Sequence, residues 1–244
     1  MTARILAITG TGTGVGKTVV TAAIAALARA RGQRVAVVKP AQTGVRPGDP
    51  SSDVPDVETV ARLSGVTDTH ELARYPDPLS PEAAARVSGL PPLDLEKAAT
   101  HIRQLALDRD LVLVEGAGGL LVRFDTAGAT LADLAGELAA PVVVVAAAGL
   151  GTLNHTALTR EALTARGLVL DGVVIGSWPR DPDLAERVNL RDLAVAAGGP
   201  LAGALPEGSG QLPPPAFLAA ARAGLTARYG GSYIYPERPE ASAS

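Results

Sequence analysis

Apolar runs and helical patterns alternate along the whole chain. Runs rich in Val, Ile and Leu predict strands at Arg4–Thr9, Arg34–Lys39, Leu111–Glu115, Val142–Ala147, Gly172–Gly176 and Leu201–Leu205. These runs are continuous rather than alternating, as parallel strands buried on both faces require. Helical patterns fall between them, at Lys17–Arg31, Asp56–Leu63, Leu95–Asp108, Leu131–Leu138, Leu153–Arg166, Asp183–Ala197 and Ala216–Arg228. The alternation predicts an α/β fold, a doubly wound, mainly parallel sheet with helices on both faces and right-handed crossovers. Pro- and Gly-rich loops are expected at Arg46–Pro55, Tyr75–Pro81 and Gly208–Pro215. Residues 1–229 are expected to form one domain, and 230–244, which lack helical periodicity, a flexible tail.

Composition narrows the class. The 244 residues suit one large α/β domain, and with 3% aromatic residues its core must be built from Ala, Val and Leu. A net charge of −3 gives no global attraction to nucleic acid or an anionic membrane. The absence of cysteine excludes disulfides, thiolate metal sites and a cysteine nucleophile. A strand pattern from the first residues leaves no room for a signal peptide, and apolar runs such as Pro141–Leu150 are too short to span a bilayer. A cytoplasmic location is the expectation.

The chemistry concentrates after the strands, where ligands bind in open α/β sheets. Gly10-Thr11-Gly12-Thr13-Gly14-Val15-Gly16-Lys17-Thr18 joins the first strand to the first helix. Strand, glycine loop and helix make a phosphate-binding loop: the backbone turns its N–H groups onto an anion and the helix N-terminus adds positive potential. Lys17 is placed to reach the β- and γ-phosphates, and the Thr18 hydroxyl to hold Mg²⁺. Gly10 and Gly16 enclose one residue more than the usual loop does.

The second strand ends in Lys39-Pro40-Ala41-Gln42-Thr43-Gly44. A lysine ending a buried strand needs a partner for its charge, here a phosphate or a substrate carboxylate. The third strand ends in Glu115-Gly116-Ala117-Gly118-Gly119, which places an acid where phosphate-loop enzymes carry one near the metal. Among Asp49, Asp53 and Asp56, any one could complete a metal site, although capping is the simpler role for each, and Asp56 stands at a helix N-cap position. The fourth strand is followed by Gly149-Leu150-Gly151-Thr152-Leu153-Asn154-His155. His155 reads as a first-turn helix residue, and His70 and His101 belong to no motif. Ser177 and Ser209 lack the His/Asp pattern of a serine nucleophile.

Together, the motifs at 10–18, 39–44, 115–119 and 150–155 resemble those of the ATP-dependent dethiobiotin synthetases, in the same order, over roughly Arg4 to Ala227. The longer glycine loop is itself a feature of that family. The resemblance implies a P-loop NTPase fold and closure of a cyclic urea from 7,8-diaminononanoate and CO₂ or bicarbonate at the expense of ATP. It implies that Lys17 and Lys39 neutralise the transferring phosphoryl group and carbamate, and that Thr13 and Thr43 hydrogen-bond the substrate. Mg²⁺ would be held by Thr18, Asp56 and Glu115, Asp56 being preferred to Asp53 because the helix after it aligns with the helix after the family's metal-binding acid. Gly12, Gly14, Val15, Gly16 and Val19 would line the nucleotide, and Glu115 and Gly118 the substrate. Gly151, Thr152, Leu153 and Asn154 match the stretch that reaches the substrate of a partner subunit, implying a homodimer with shared sites. Gly14 stands where many members carry an acid. Gly176, with Ser177 beside it, stands where adenine-reading members carry an asparagine, and Pro206, Glu207 and Gly208 form the second stretch near the base. A relaxed nucleotide choice, including CTP or GTP, is therefore expected.

The main alternative is a partition or septum-site switch ATPase of the same superfamily. Those proteins carry an additional lysine early in the loop, and no lysine lies between Gly10 and Lys17. An amidotransferase-type synthetase would need a glutaminase domain, usually with a nucleophilic cysteine, which a cysteine-free chain cannot supply.

Overall fold

β-Branched side chains favour extended backbone and pack well on a pleated surface. In the computed structural model, which describes residues 3–46, 48 and 52–235, these runs form the centre of a seven-stranded sheet. Along the chain lie β1 (Arg4–Gly10), α1 (Lys17–Ala30), β2 (Val35–Lys39), β3 (Gln42–Thr43), α2 (Asp56–Ser64), β4 (Thr69–Glu71) and β5 (Arg74–Tyr75). They are followed by α3 (Pro81–Ser88), α4 (Leu95–Leu105), β6 (Leu111–Gly119), α5 (Leu131–Glu137), β7 (Val142–Ala146) and α6 (Thr152–Ala165). β8 (Leu170–Trp178), α7 (Leu184–Ala197), β9 (Gly203–Pro206) and α8 (Pro214–Gly224) complete the order.

The sheet order is β4-β2-β6-β1-β7-β8-β9, and every pairing in it is parallel. β1 is flanked by β6 and β7, with Ile8 opposite Glu115 on one side and Val143 on the other. The glycine loop after β1 therefore emerges beside Glu115. Lys39, two strands away, ends β2 at the same edge.

Two cores cover the two faces. Val20 to Ala28 of α1 are all buried, and they pack with residues of α2 and α8 against Leu6, Ile8, Leu113 and Val145. The other face buries Val112, Val114, Val142 and Val144 with side chains from α4, α5 and α7. Alanine along α1 lets the helix lie close to the sheet, so a core with few aromatics still closes.

Several elements differ from the pattern-based expectation. β4 is an additional edge strand, and β3 and β5 form a separate two-stranded sheet. Thr69-His70-Glu71 contains no apolar run, and its residues are only half-buried, as suits a short edge. The expected loop at Tyr75–Pro81 delivers the first residue of α3, since proline is tolerated at the first helical position. The final helix runs Pro214–Gly224 rather than Ala216–Arg228, with a separate 3₁₀ turn at Ala227–Tyr229. It ends where Gly224 packs on β9, with Ala204 O only 2.8 Å from the place of a Cβ. Residues 231–235 carry no helix or strand, but Tyr233 N donates to Leu225 O and Tyr235 OH to Arg191 O. The rest of the expected tail, 236–244, and Asp49 lie outside the described residues. Among the described residues no helix is long and apolar enough to cross a membrane.

Candidate active site

Gly16 adopts φ +95° as the N-cap of α1 and supplies no side chain to cap it. The first turn of α1 carries no acidic residue, so its free N–H groups and positive dipole end face the glycine loop. Lys17 Nζ curls back to donate to Gly12 O at 3.0 Å. Burial, and after it the nearby Lys39 cation, lower the Lys17 pKa.

Lys39 is 3% exposed and Glu115 1%. Lys39 Nζ lies 2.5 Å from Asp56 Oδ2 and 3.0 Å from Glu115 Oε1, and it donates to Gly116 O at 3.0 Å. Burial opposes the Lys39 charge, but attraction to Glu115 and Asp56 outweighs it and raises the pKa. Asp56 shows the mirror case: burial would push it up, and the Lys39 cation and the Thr18 bond hold it below the usual carboxylate range. Asp56 is the first residue of α2, and Pro55 is the N-cap, so the carboxylate is not spent on capping. Its backbone N–H is taken by Gln42 Oε1 at 2.9 Å, a contact the sequence did not signal.

Thr18 Oγ1 lies 2.9 Å from both Asp56 Oδ1 and Glu115 Oε1. A hydroxyl has one proton, so it can donate to only one of them. Glu115 Oε2 is buried without any hydrogen-bond partner. Three oxygens thus converge with fewer protons than contacts. Among the described residues there is no cluster of three or more His, Cys, Asp or Glu that could hold a metal.

These groups line a cleft of about 630 Å³. Of the expected residues, it brings together Thr13, Gly14, Gly16, Lys17, Thr18, Val19, Lys39, Thr43, Asp56, Glu115 and Gly118. A Cβ on Gly118 would stand 3.5 Å from the Thr13 hydroxyl, which puts both on one wall. Asp53 lines the cleft as well, as do Pro78, Leu79, Ser80 and Pro81 leading into α3. The expected Pro-rich loop at Tyr75–Pro81 supplies that wall.

Gly12 and Val15 of the glycine loop are not part of the cleft lining, and two further expected groups lie outside it. Gly176 packs against the outer side of the glycine loop, where a Cβ would come within 2.0 Å of Val15 O. Glu207 N donates to Trp178 O at 2.7 Å, which holds Pro206–Gly208 beside the end of β8. Gly151–Asn154 start α6 beyond β7, with Thr152 buried and Gly151 and Asn154 exposed. The turn before them is pinned: Thr152 Oγ1 donates to Ala147 O, and the buried Asn189 side chain donates to Ala148 O and Gly149 O.

A parallel sheet with a glycine loop between its central strand and a helix, and a lysine, hydroxyl and acid gathered below it, defines a P-loop nucleotide-binding protein. A family model described as an AAA domain matches residues 4–212. Relatives named ATP-dependent dethiobiotin synthetase BioD match throughout. The one from Frankia casuarinae is 64% identical over 93% of this chain and 94% of its own length. The one from Streptomyces avermitilis is 58% identical over 94% of each. The chain belongs to the ATP-dependent dethiobiotin synthetase family. Among solved structures, the Pyrococcus horikoshii septum-site protein MinD aligns with TM-score 0.57 and 18% identity over 90% of this chain and 95% of its own. The Aquifex aeolicus MinC:MinD complex gives TM-score 0.56 and 15% identity, covering 97% of this chain and 99% of that one. At such identities the likeness is one of fold.

Proposed function

We propose that this cleft closes 7,8-diaminononanoate to dethiobiotin, with the residues gathered around Lys39 carrying the chemistry. The chain is an ATP-dependent dethiobiotin synthetase, a ligase. One amine of the diamine takes up CO₂ as a carbamate and loses a proton. The carbamate oxygen attacks the γ-phosphorus of the nucleotide, and the nucleoside diphosphate leaves. The second amine attacks the carbonyl carbon of the carbamic-phosphoric anhydride, gives up a proton and expels phosphate, and the urea ring closes.

The observation that carries this reading is the buried Lys39 cation between Asp56 and Glu115, beside Thr18 and the glycine loop. Most of the work is positioning and charge neutralisation. Lys39 is held protonated where carbamate and phosphoryl oxygens gather negative charge. Lys17 leaves Gly12 O to meet the phosphates, and Gly12, Gly14, Val15, Gly16 and Val19 frame them. Thr13, Thr43 and Gly118 line the wall against which the diamine is oriented. Thr18, Asp56 and Glu115 would hold Mg²⁺: the donor set is all oxygen, the hydroxyl lacks protons for its two contacts, and Glu115 Oε2 has no partner. When bound, the ion offsets charge on the transferring phosphoryl group.

The base would lie against Ser177 and Pro206–Gly208; Gly176 itself is buried under the glycine loop, so no amide side chain is offered there. Relaxed use of ATP, CTP and GTP follows, and strict rejection of every non-adenine triphosphate in a competition series would remove it. Gly151–Asn154 stand apart from their own cleft, next to apolar side chains left in solvent: Leu150 is 93% exposed, and Leu158, Leu184 and Val188 are also exposed. A homodimer in which this stretch completes the partner's diamine site accounts for both, and sedimentation equilibrium tests it.

The decisive assay mixes protein, Mg-ATP, bicarbonate and 7,8-diaminononanoate, and follows phosphate release and the cyclic urea by mass spectrometry. Diamine-dependent release with that product is expected. Hydrolysis indifferent to the diamine, with no urea, would overturn the reading in favour of a switch ATPase.

A further inference from the structure

A second cleft, of about 460 Å³, opens at the other end of the sheet, where β1 and β6 begin. β1 separates it from the glycine loop by its own length, roughly 20 Å at the rise of an extended strand. Its bottom is closed by Leu6, Ile24 and Leu111, core residues no more than 5% exposed. Its charged lining is Arg4, Arg31 and Arg228 against a single carboxylate, Asp110.

The neutralising partners lie outside the lining. Asp171 is buried, and its Oδ1 accepts from Arg4 Nη2 at 2.7 Å and Arg228 Nη1 at 2.8 Å, while Oδ2 accepts from Tyr229 OH at 2.9 Å. This carboxylate thus holds two guanidiniums side by side by one nitrogen each, and both still line the cleft while Asp171 does not. Asp110 is already taken by Arg34, which grips it with Nε and Nη2. Arg31 reaches only neutral oxygens, Tyr229 O at 3.3 Å and Gln33 Oε1 at 3.5 Å, and among the described residues it has no carboxylate partner. Three forked donors around one cleft, in a chain of net charge −3, form a local positive site with unused hydrogen-bonding capacity.

We propose that this cleft is a second ligand site, taking a small oxyanion whose carboxylate or phosphate meets Arg4, Arg31 and Arg228. The site is separate from the nucleotide cleft and does not depend on the reaction assigned there.

Isothermal titration with acetate and with methyl phosphate tests it, on the full chain saturated with a non-hydrolysable ATP analogue. Methanol serves as the uncharged control. Saturable binding of one anion at or below about 1 mM is expected, with no binding of the control. Arg31→Gln should weaken it by about tenfold, the loss of one charge-assisted contact. Arg31 meets the Asp171 cluster only through the backbone carbonyl of Tyr229, so this variant leaves the synthetase rate unchanged. Which anion binds better identifies the head group. No saturable binding of either, equal binding by Arg31→Gln, or binding that the nucleotide analogue abolishes would each overturn the proposal.

Discussion

Gly176 lies directly beneath the carbonyl of Val15: a Cβ there would stand 2.0 Å from the oxygen. The approach is mutual, since Gly16, at φ +95°, would place its own Cβ 2.8 Å from Gly176 O. The glycine loop is therefore seated on bare backbone of β8. Gly176→Asn does not restore an adenine contact, because its side chain must first displace the loop. Overpacking of this kind costs roughly 1–3 kcal/mol. Affinity for every nucleotide should fall by about tenfold or more, as measured by titration calorimetry. A variant with unchanged affinity and a sharpened preference for ATP would contradict this.

Asp56 and Asp53 line the same cleft, yet Asp56 alone bonds Thr18 and Lys39. Asp56→Asn keeps the shape and removes the charge. Mg²⁺-dependent turnover should drop by about 100-fold or more, as for loss of a group at the phosphoryl-transfer centre. Asp53→Asn should stay within about threefold, as for an exposed charge. The reverse pattern would move the assignment to Asp53.

Tyr229 donates its phenolic proton to Asp171, and burial followed by that negative charge pushes its pKa well above the ordinary value. The folded chain keeps the proton after the unfolded chain has lost it. The stabilisation is therefore complete below about pH 10 and declines as pH rises toward the folded value. Denaturant unfolding of the wild type should show a steeper loss of stability above pH 10 than Tyr229→Phe does. At neutral pH the substitution should cost about 1.5–3 kcal/mol, the range for a bond to a charged group. Parallel alkaline profiles would sink the assignment.

Asn189 is buried and spends its amide on two consecutive carbonyls, Ala148 O and Gly149 O, of the turn that carries Leu150 and Gly151. If that turn completes the partner's diamine site, Asn189 positions it without touching substrate. Asn189→Leu should raise KM for the diamine by about tenfold while KM for the nucleotide holds, because only the ground-state fit of one substrate is disturbed. A rise in both constants, or in neither, would reject this role.

The elements that sequence patterns reveal are those with strong local signals. Val142–Ala146 and the glycine loop declare themselves by continuous apolar runs and by positions that need positive φ, and Glu115 by following such a run. β4 is half-buried and α3 mixes buried alanines with exposed polar residues, so tertiary contacts rather than local pattern place them. Asp56 stood at an N-cap position in the sequence, but Pro55 occupies that place and frees the carboxylate for Lys39. His70 and His101 looked unrelated at a separation of 31 residues, yet their ring nitrogens meet at 3.2 Å, with Asp68 accepting on the far side of His70. No local signal connects an edge strand to a helix across a sheet, and that is where single-chain patterns lose their reach.

The carboxylate of Asp171 joins Arg4, in the first strand, to Arg228, just past the last helix, through a single oxygen atom. The first strand and the turn after the last helix therefore meet, so that residues 4–228 run almost as a ring. A peptide bridge across that meeting point, with new ends opened at the exposed Leu107 between α4 and β6, would give a permuted chain with the same sheet.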